Sequence, residues 1–243
     1  MPDDRPPPPG VLHEDRDVVA ANKPPGEPVI AARDEPPEAC LQRRLEKQLG
    51  RRLWVVHRID RDASGVVVLA GNGAAHRTLS MAFEHHRVEK TYLAFIAGSL
   101  PPRDRLAFPL HAARKGKTRP AHPGEDGARE AVTDYVVRRR WRRDEATISL
   151  LEVHPLTGRH HQIRVHLRAA GAPLVFDPLY GRGLMPPALG EAPCQRLALH
   201  AQRLDLPSPR GSGRLVLEAP LSPDLELLAV WLDANWHVEP VRA

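Results

Sequence analysis

The chain has 243 residues, of which 42% are hydrophobic, so it is long enough and apolar enough to fold around a substantial core. Lysine and arginine number 35 against 30 acidic residues, and this net charge of +5 favours a polyanionic partner. The two cysteines form no CxxC motif or disulfide framework, and no apolar run reaches the length of a membrane span. The sequence therefore excludes a disulfide scaffold and a helical membrane protein, and predicts a cytoplasmic one.

The first half of the chain predicts short strands and two helices. Residues 1–9 are rich in proline and predict a disordered arm. Two strands joined by an acidic turn follow from Gly10 and lead into a Pro-Pro-Gly turn, and residues 31–37 form a polar loop. The next predicted elements are a helix over 38–49 that ends at Gly50, strands at 54–56 and 66–69, and a helix capped by Asn72 with Ala75, Leu79, Ala82 and Phe83 inward.

The second half adds more strands than helices. The predicted elements are a strand over 90–98, a mobile basic loop over 111–130, strands at 131–137 and 147–153, a helix within PLTGRHHQIRVHLRAAG that ends at Gly171, strands at 197–206 and 214–218, and a helix over 224–236. Strands and helices do not alternate regularly. The pattern therefore favours an α+β fold with a mostly antiparallel mixed sheet, and a single domain over residues 10–243.

Charged residues are concentrated in one turn, VHRIDRDASGVVVLA, between two apolar strand-like runs. Asp60 stands close to Arg58 and Arg61, and a carboxylate near positive charge stays ionised, as a base or nucleophile must be. The alternative is a solvated hairpin with surface ion pairs, and the turn alone favours it. Asp62 and Ser64 are expected to shape the turn, and Gly65 to supply backbone freedom.

Other chemical patterns are weak. His154, His160, His161 and His166 have no metal-binding spacing, so a basic surface over phosphates is the better interpretation. Lys23 precedes a Pro-Pro-Gly turn but belongs to no phosphate-binding loop. Taken alone, Tyr92 reads as an ordinary half-buried tyrosine on the same strand face as Lys90, and Arg164 as a solvated helical arginine.

Taken together, several segments resemble one family, the RluA-type pseudouridine synthases. VHRIDRDASGVVVLA is similar to the family signature, whose usual form is HRLD followed by a Thr-Ser-Gly turn. RVEKTYLAFIAG and LTGRHHQIRVHLRAAGAPLVFDPLYG resemble the second and third motifs. VLHEDRDVVAANKPPGEPV and RLALHAQRLDL also resemble family segments in the expected order, so the resemblance covers nearly the whole chain from about Val11.

The resemblance implies the pseudouridine synthase fold, with a central RNA-binding cleft, and an activity that isomerises uridine in rRNA or tRNA without a cofactor or metal. Asp60 matches the catalytic aspartate, Tyr92 the active-site tyrosine, and Arg164 the basic residue that pairs with the aspartate. Arg58 matches the arginine that fills the space left by the flipped base. Further candidate RNA contacts are the 111–130 loop, a basic helix face formed by Arg164 and Arg168, and the residues His57, Lys90, His160 and His161.

The sequence departs from the family pattern at four positions: Ile59 replaces Leu, Ala63 replaces Thr, His160 stands where Thr is usual, and Phe176 replaces the Gly usual before Asp-Pro. None removes a group that the reaction needs. The optional N-terminal S4 module is expected to be absent, so the catalytic domain itself is expected to hold RNA, as a monomer.

Two alternatives from other classes stay open at this stage. One is an RNA-binding or ribosome-assembly module without catalysis, against which the combination of Asp60, Tyr92 and Arg164 argues. The other is a metal-dependent nuclease that uses Asp60, Asp62 and histidines.

Overall fold

The computed structural model describes residues 10–32, 35–113, 116–211 and 213–241. The elements of these residues are, in chain order, β1 (Gly10–Glu14), β2 (Val18–Lys23), α1 (Leu41–Leu49), β3 (Trp54–Val55), β4 (Ser64–Ala70), α2 (Gly73–Glu84), β5 (Glu89–Ala97), β6 (Arg103–Ala107), β7 (Leu110–Ala112), β8 (Thr118–Pro120), β9 (Val132–Arg143), β10 (Ala146–Pro155), α3 (Gln162–Ala169), β11 (Leu199–Pro207), β12 (Arg214–Glu218), α4 (Pro223–Asn235) and β13 (His237–Glu239), with a short 3₁₀ turn at Pro187–Leu189. The predicted arm over 1–9 lies outside the described residues.

Contacts divide the chain into two compact units. The first contains the chain up to Val88 together with Arg203–Pro220, and the second contains Glu89–Gln202 and the chain from Leu221 onward. The single catalytic domain over 10–243 stays a prediction. The fold class is confirmed, because the structure combines helices with a mostly antiparallel sheet.

The first unit is built on β2 and β4. β2 pairs antiparallel with β1 on one side and β4 on the other, and β3 pairs with the end of β4. All seven residues of β4 are buried, and α2 packs against β3 and β4. Asn72 caps α2 as predicted, since its side chain accepts the Ala75 N–H at 3.0 Å. This framework fixes the chain on both sides of the turn that carries Asp60.

The second unit is built on a long hairpin of β9 and β10. β10 pairs antiparallel with β5 as well as with β9, and β9 also pairs with β6 and β13. The core contains Phe95, Trp141 and Ile148, covered by the buried face of α4. The Trp141 indole Nε1 donates to Asp233 at 2.7 Å, which ties α4 to the hairpin.

Two predictions about elements are wrong, and two strands lack any prediction. The predicted loop over 111–130 contains part of the β7–β8 hairpin, which pairs Leu110 with Pro120 and Ala112 with Thr118. α1 begins at Leu41 rather than at 38, because residues 36–39 form a turn in which the Ala39 N–H donates to the Pro36 carbonyl. β6 and β13 were not predicted; both are short strands with mainly exposed residues, so neither has an apolar pattern.

Candidate functional site

Asp60 lies in the tight turn between β3 and β4 in the first unit. Its side chain is half-buried, and its carbonyl accepts the Ala63 N–H at 3.2 Å, which closes the turn. Gly65 follows with a φ of +115°, a backbone conformation that side-chain-bearing residues rarely adopt, so its predicted role is confirmed. The turn thus delivers a carboxylate directly before the fully buried strand β4.

Lys23 anchors this turn through hydrogen bonds to its backbone. Its side chain is fully buried, and Nζ donates to the carbonyls of Pro24 and Glu27 at 2.7 Å and of Arg61 at 2.8 Å. The Gly26 N–H donates to the same Arg61 carbonyl at 2.9 Å. An ammonium needs three acceptors when it is buried, and here three backbone carbonyls supply them. Lys23 therefore fixes the backbone one residue after Asp60.

Sequence reasoning missed this role of Lys23. The available signal was a lysine that ends an apolar strand directly before a Pro-Pro-Gly turn. Such a turn exposes several carbonyls without matching N–H donors, since proline has none.

The neighbours of Asp60 differ in their surroundings. Arg58 is exposed, and its entry into RNA stays a prediction. His57 is held by the protein: its Nε2 accepts the Val68 N–H at 2.9 Å and its ring stacks on Phe83 at 4.4 Å. Nε2 therefore carries no proton, and an RNA contact by His57 stays a prediction. Arg61 pairs with Glu35 at 2.5 Å, and this hydrogen bond lowers the pKa of the Glu35 carboxyl.

Arg164 lies on α3 in the second unit, and its expected solvated position is wrong. The residue is 4% exposed, and its Nε and Nη2 each donate to one oxygen of Asp177 at 2.8 Å. Burial raises the pKa of the Asp177 carboxyl, but Arg164 and the N–H groups of Leu179 and Tyr180 outweigh this effect and lower it. Arg164 is therefore a fixed, buried cation and does not belong to an exposed basic helix face; its role towards Asp60 stays a prediction.

Tyr92 and Lys90 lie two residues apart on β5, also in the second unit. Tyr92 is half-buried and opposite Val153 of β10. The Lys90 Nζ donates to the Thr157 carbonyl at 2.8 Å, and burial, together with the positive charge of Arg159, lowers the pKa of Lys90 to about 8. The catalytic role of Tyr92 and the RNA contact of Lys90 stay predictions.

A basic groove lies between the β7–β8 hairpin and the turn before α3. Its volume is about 460 Å³, and its lining includes Lys117, Arg129, Arg159 and His160; none of the described residues that line it is a carboxylate. His160 stacks on His161 with ring centroids 3.6 Å apart, and Thr118 Oγ1 hydrogen-bonds His160 Nδ1 at 3.1 Å. Arg168 is exposed near the end of α3. The described part of this groove presents positive charge and hydrogen-bonding rings.

One family departure has a structural counterpart. Phe176, which stands where glycine is usual, has a φ of +55°, so the family's preference for glycine follows from the left-handed backbone. The Phe176 ring packs partly buried against the core of the second unit. His161, next to the departure at His160, also has a φ of +55°.

Across 10–32, 35–113, 116–211 and 213–241, no three His, Cys, Asp or Glu side chains are close enough to share a metal ion. No helix in this part of the chain has the length and apolar character needed to cross a membrane.

Comparison with known proteins agrees with the family resemblance and with the fold. A family profile described as RNA pseudouridylate synthase matches residues 17–169, a range that includes Asp60, Tyr92 and Arg164. The chain belongs to this family, and it is a pseudouridine synthase, an isomerase that acts on uridine in RNA.

Relatives of the chain include proteins with two different names. The chain is 30% identical to tRNA pseudouridine synthase C of Haemophilus ducreyi over 93% of this chain and 96% of that protein. It is 34% identical to ribosomal large subunit pseudouridine synthase D of Xanthomonas campestris pv. campestris over 90% of this chain and 67% of that protein. The solved structure of human RNA Pseudouridylate Synthase Domain Containing 1 has a TM-score of 0.73 at 25% identity, over 96% of this chain and 90% of that one.

Proposed function

We propose that this chain isomerises specific uridines in tRNA or large-subunit ribosomal RNA, with Asp60 as the catalytic residue. The observation that carries the proposal is the Asp60 turn: the HRID segment ends in a half-buried carboxylate, and the buried Lys23 holds the backbone carbonyl of Arg61, the next residue. The two named relatives support both RNA classes equally, since their identities to this chain are similar.

The reaction requires the target base to leave its stack. The C1′–N1 bond breaks, the uracil turns, a C1′–C5 bond forms, and the hydrogen on C5 is released while N1 gains a proton. Both the sugar carbon and the ring must reach one carboxylate, so the nucleotide is flipped into the active site at a cost of a few kcal/mol. Arg58, exposed and two residues before Asp60, fills the vacated space and offsets part of this cost.

Asp60 acts in its ionised form. Its carboxylate attacks the sugar or the ring, or removes a sugar proton, and each of these steps needs the negative charge. Arg164 supplies permanent positive charge, since a guanidinium stays protonated at any physiological pH. Tyr92 stacks on the uracil. The reaction involves no net oxidation and no group donor, so these residues suffice without a cofactor.

RNA outside the active site is held by positive charge on the second unit. The basic groove, His160, His161 and Arg168 contact phosphates and riboses, which position the strand but carry little sequence information. Lys90 and, in the first unit, His57 remain candidate contacts. We further propose that the enzyme acts as a monomer in the cytoplasm, without a protein partner.

The proposal is tested by mapping pseudouridines in total RNA from cells with and without the gene. We expect one or a few tRNA or large-subunit rRNA positions to lose pseudouridine in the deletion. The wild-type gene should restore them, and the Asp60→Asn gene should not, although both proteins are made at the same level. Unchanged pseudouridine at every tRNA and rRNA position after deletion would contradict the proposal.

A further inference from the structure

Tyr180 occupies an unusual position in the second unit, because its ring, hydroxyl and backbone contact three different parts of the site. The Arg164 guanidinium lies over its ring, with Cζ 5.2 Å from the ring centroid. Its hydroxyl accepts the Thr118 N–H at 2.9 Å and hydrogen-bonds His161 Nδ1 at 2.9 Å. Its own N–H donates to Asp177 Oδ1 at 3.0 Å.

These contacts join the groove to Arg164. Thr118 begins β8, and it lies next to Lys117 in the wall of the basic groove. His161 immediately precedes α3, the helix that carries Arg164. Asp177 holds Arg164 by two hydrogen bonds and is itself held by the Tyr180 N–H. One side chain thus connects the hairpin, the start of α3 and the guanidinium.

The chemistry of Tyr180 suits a coupling role. A guanidinium over an aromatic face is attracted to the ring, while two hydrogen bonds to the oxygens of Asp177 fix the orientation of the Arg164 guanidinium. A phenol that is bonded at its hydroxyl cannot swing away from this position without breaking contacts to β8 and His161. Displacement of the hairpin therefore moves the Tyr180 ring, and this movement changes the position of the ring relative to the Arg164 guanidinium.

We propose that Tyr180 is a positioning residue that couples the β7–β8 hairpin to Arg164, so that RNA seated in the groove sets the guanidinium for the reaction. The inference rests on the proposed function in one respect, that Arg164 belongs to the catalytic set. Tyr180 itself touches no reacting atom in this account; it acts through Arg164.

The decisive variant is Tyr180→Phe, which keeps the ring beneath Arg164 and removes only the hydroxyl contacts. Single-turnover pseudouridine formation is followed over a range of enzyme concentrations on an RNA that the wild type modifies. We expect the rate constant at saturating enzyme to fall about tenfold, because small misplacements of a reacting group are costly, while the half-saturating concentration changes less than about twofold. Tyr180→Leu, which also removes the ring, should lower the rate constant further.

The matched control is Tyr135→Phe. Tyr135 is a buried tyrosine on β9 in the same unit, and the substitution removes the same hydroxyl. Its rate constant should equal that of the wild type. A wild-type rate constant for Tyr180→Phe, or a loss seen only in the half-saturating concentration, would overturn the inference.

A second readout separates this inference from the proposed function. The Arg164 Nε–H that donates to Asp177 should give a slowly exchanging NMR signal in the free enzyme. Tyr180→Phe should shift this signal and speed its exchange, while Tyr135→Phe should not. An unchanged signal would overturn the coupling even if pseudouridine formation is confirmed. A changed signal in an enzyme with no pseudouridine activity would support the coupling and contradict the proposed function.

Discussion

At the scale of single residues, the site depends on two buried cations, one with neutral partners and one with a charged partner. Lys23 is satisfied by three neutral carbonyls in the first unit, and Arg164 is paired with a carboxylate in the second. A buried charge without partners is strongly unfavourable, so both arrangements are sensitive to the loss of a single group. Lys23 holds the backbone next to Asp60, whereas Arg164 is itself a proposed catalytic residue.

Lys23→Met is expected to lower the free energy of unfolding by about 3 kcal/mol, because buried carbonyls in the Asp60 turn lose their donor. Activity should fall as well, since the turn loses its anchor. Lys47→Met on the exposed face of α1 is the control and should leave both unchanged. Urea unfolding measures the difference; equal stability of the two variants would show that Lys23 does not anchor the turn.

Asp177→Asn is expected to cost about 3 kcal/mol of unfolding free energy, because it removes the negative charge beside a guanidinium that is 4% exposed. Asp134→Asn provides a comparison, since Asp134 accepts two similar hydrogen bonds from Arg105, at 2.7 and 2.8 Å, at the surface. That variant should unfold almost as the wild type does, because solvent screens exposed pairs. Denaturant titration of both variants measures these losses. Equal losses of unfolding free energy would contradict the claim that burial makes the Arg164–Asp177 pair more important than the exposed pair.

At the scale of elements, α3 is fastened to β9 by a buried polar network. Gln162 Nε2 donates to Thr133 Oγ1 at 3.0 Å, and His166 Nδ1 lies 3.0 Å from the same hydroxyl. His166 Nε2 faces the Phe108 carbonyl at 3.3 Å, and since a carbonyl only accepts, Nε2 carries the proton and Thr133 donates to Nδ1. Burial lowers the pKa of His166 to about 4, so the ring is neutral in the folded enzyme.

This network predicts a pH dependence of stability. The unfolded histidine has a pKa of about 6.5, so the unfolded chain binds more protons between pH 6.5 and about 4. The contribution of His166 to the free energy of unfolding is therefore fully present above pH 6.5. It is lost as the pH falls towards 4, by up to about 3 kcal/mol. In His166→Gln the slope between pH 4.5 and 6.5 should become shallower, whereas His85→Gln, at an exposed position, should keep the wild-type slope. Denaturant titrations across this range check it, and identical slopes for all three proteins would contradict the assignment.

The elements also show which structure a sequence can predict. Asn72, Gly50 and the apolar spacing of α2 placed helix ends and faces correctly, because caps and periodicity are local signals. β6, β13 and the β7–β8 hairpin were not predicted, because these strands are short and have no apolar alternation. β6 and β13 also pair with β9, which is distant in sequence, and β7 and β8 pair with each other in a separate sheet. The burial of Arg164 was also not predicted. Its partner Asp177 is thirteen residues away in sequence, and this pairing makes an apparently solvent-facing position an internal one.

At the scale of the whole molecule, the candidate residues are distributed over both units. His57, Arg58 and Asp60 belong to the first, and the second contains Lys90, Tyr92, His160, His161, Arg164 and Arg168. The turn around Asp60 by itself favoured a solvated hairpin. The set is proposed from family motifs in the correct order and not from periodicity, because residues that are far apart in sequence leave no local pattern. The role of Lys23 could not be predicted, since its three acceptors converge only in the folded chain.

The central claim is that Asp60 carries the isomerisation, and release of tritium from RNA labelled at C5 of uridine tests it most directly. The wild-type enzyme should release tritium from tRNA or large-subunit rRNA. Asp60→Asn should be slower by at least about a thousandfold while it binds the same RNA equally well, and Asp62→Asn, two residues away in the same turn, should stay within a few-fold of the wild type. Tritium release by Asp60→Asn at the wild-type rate would contradict the account.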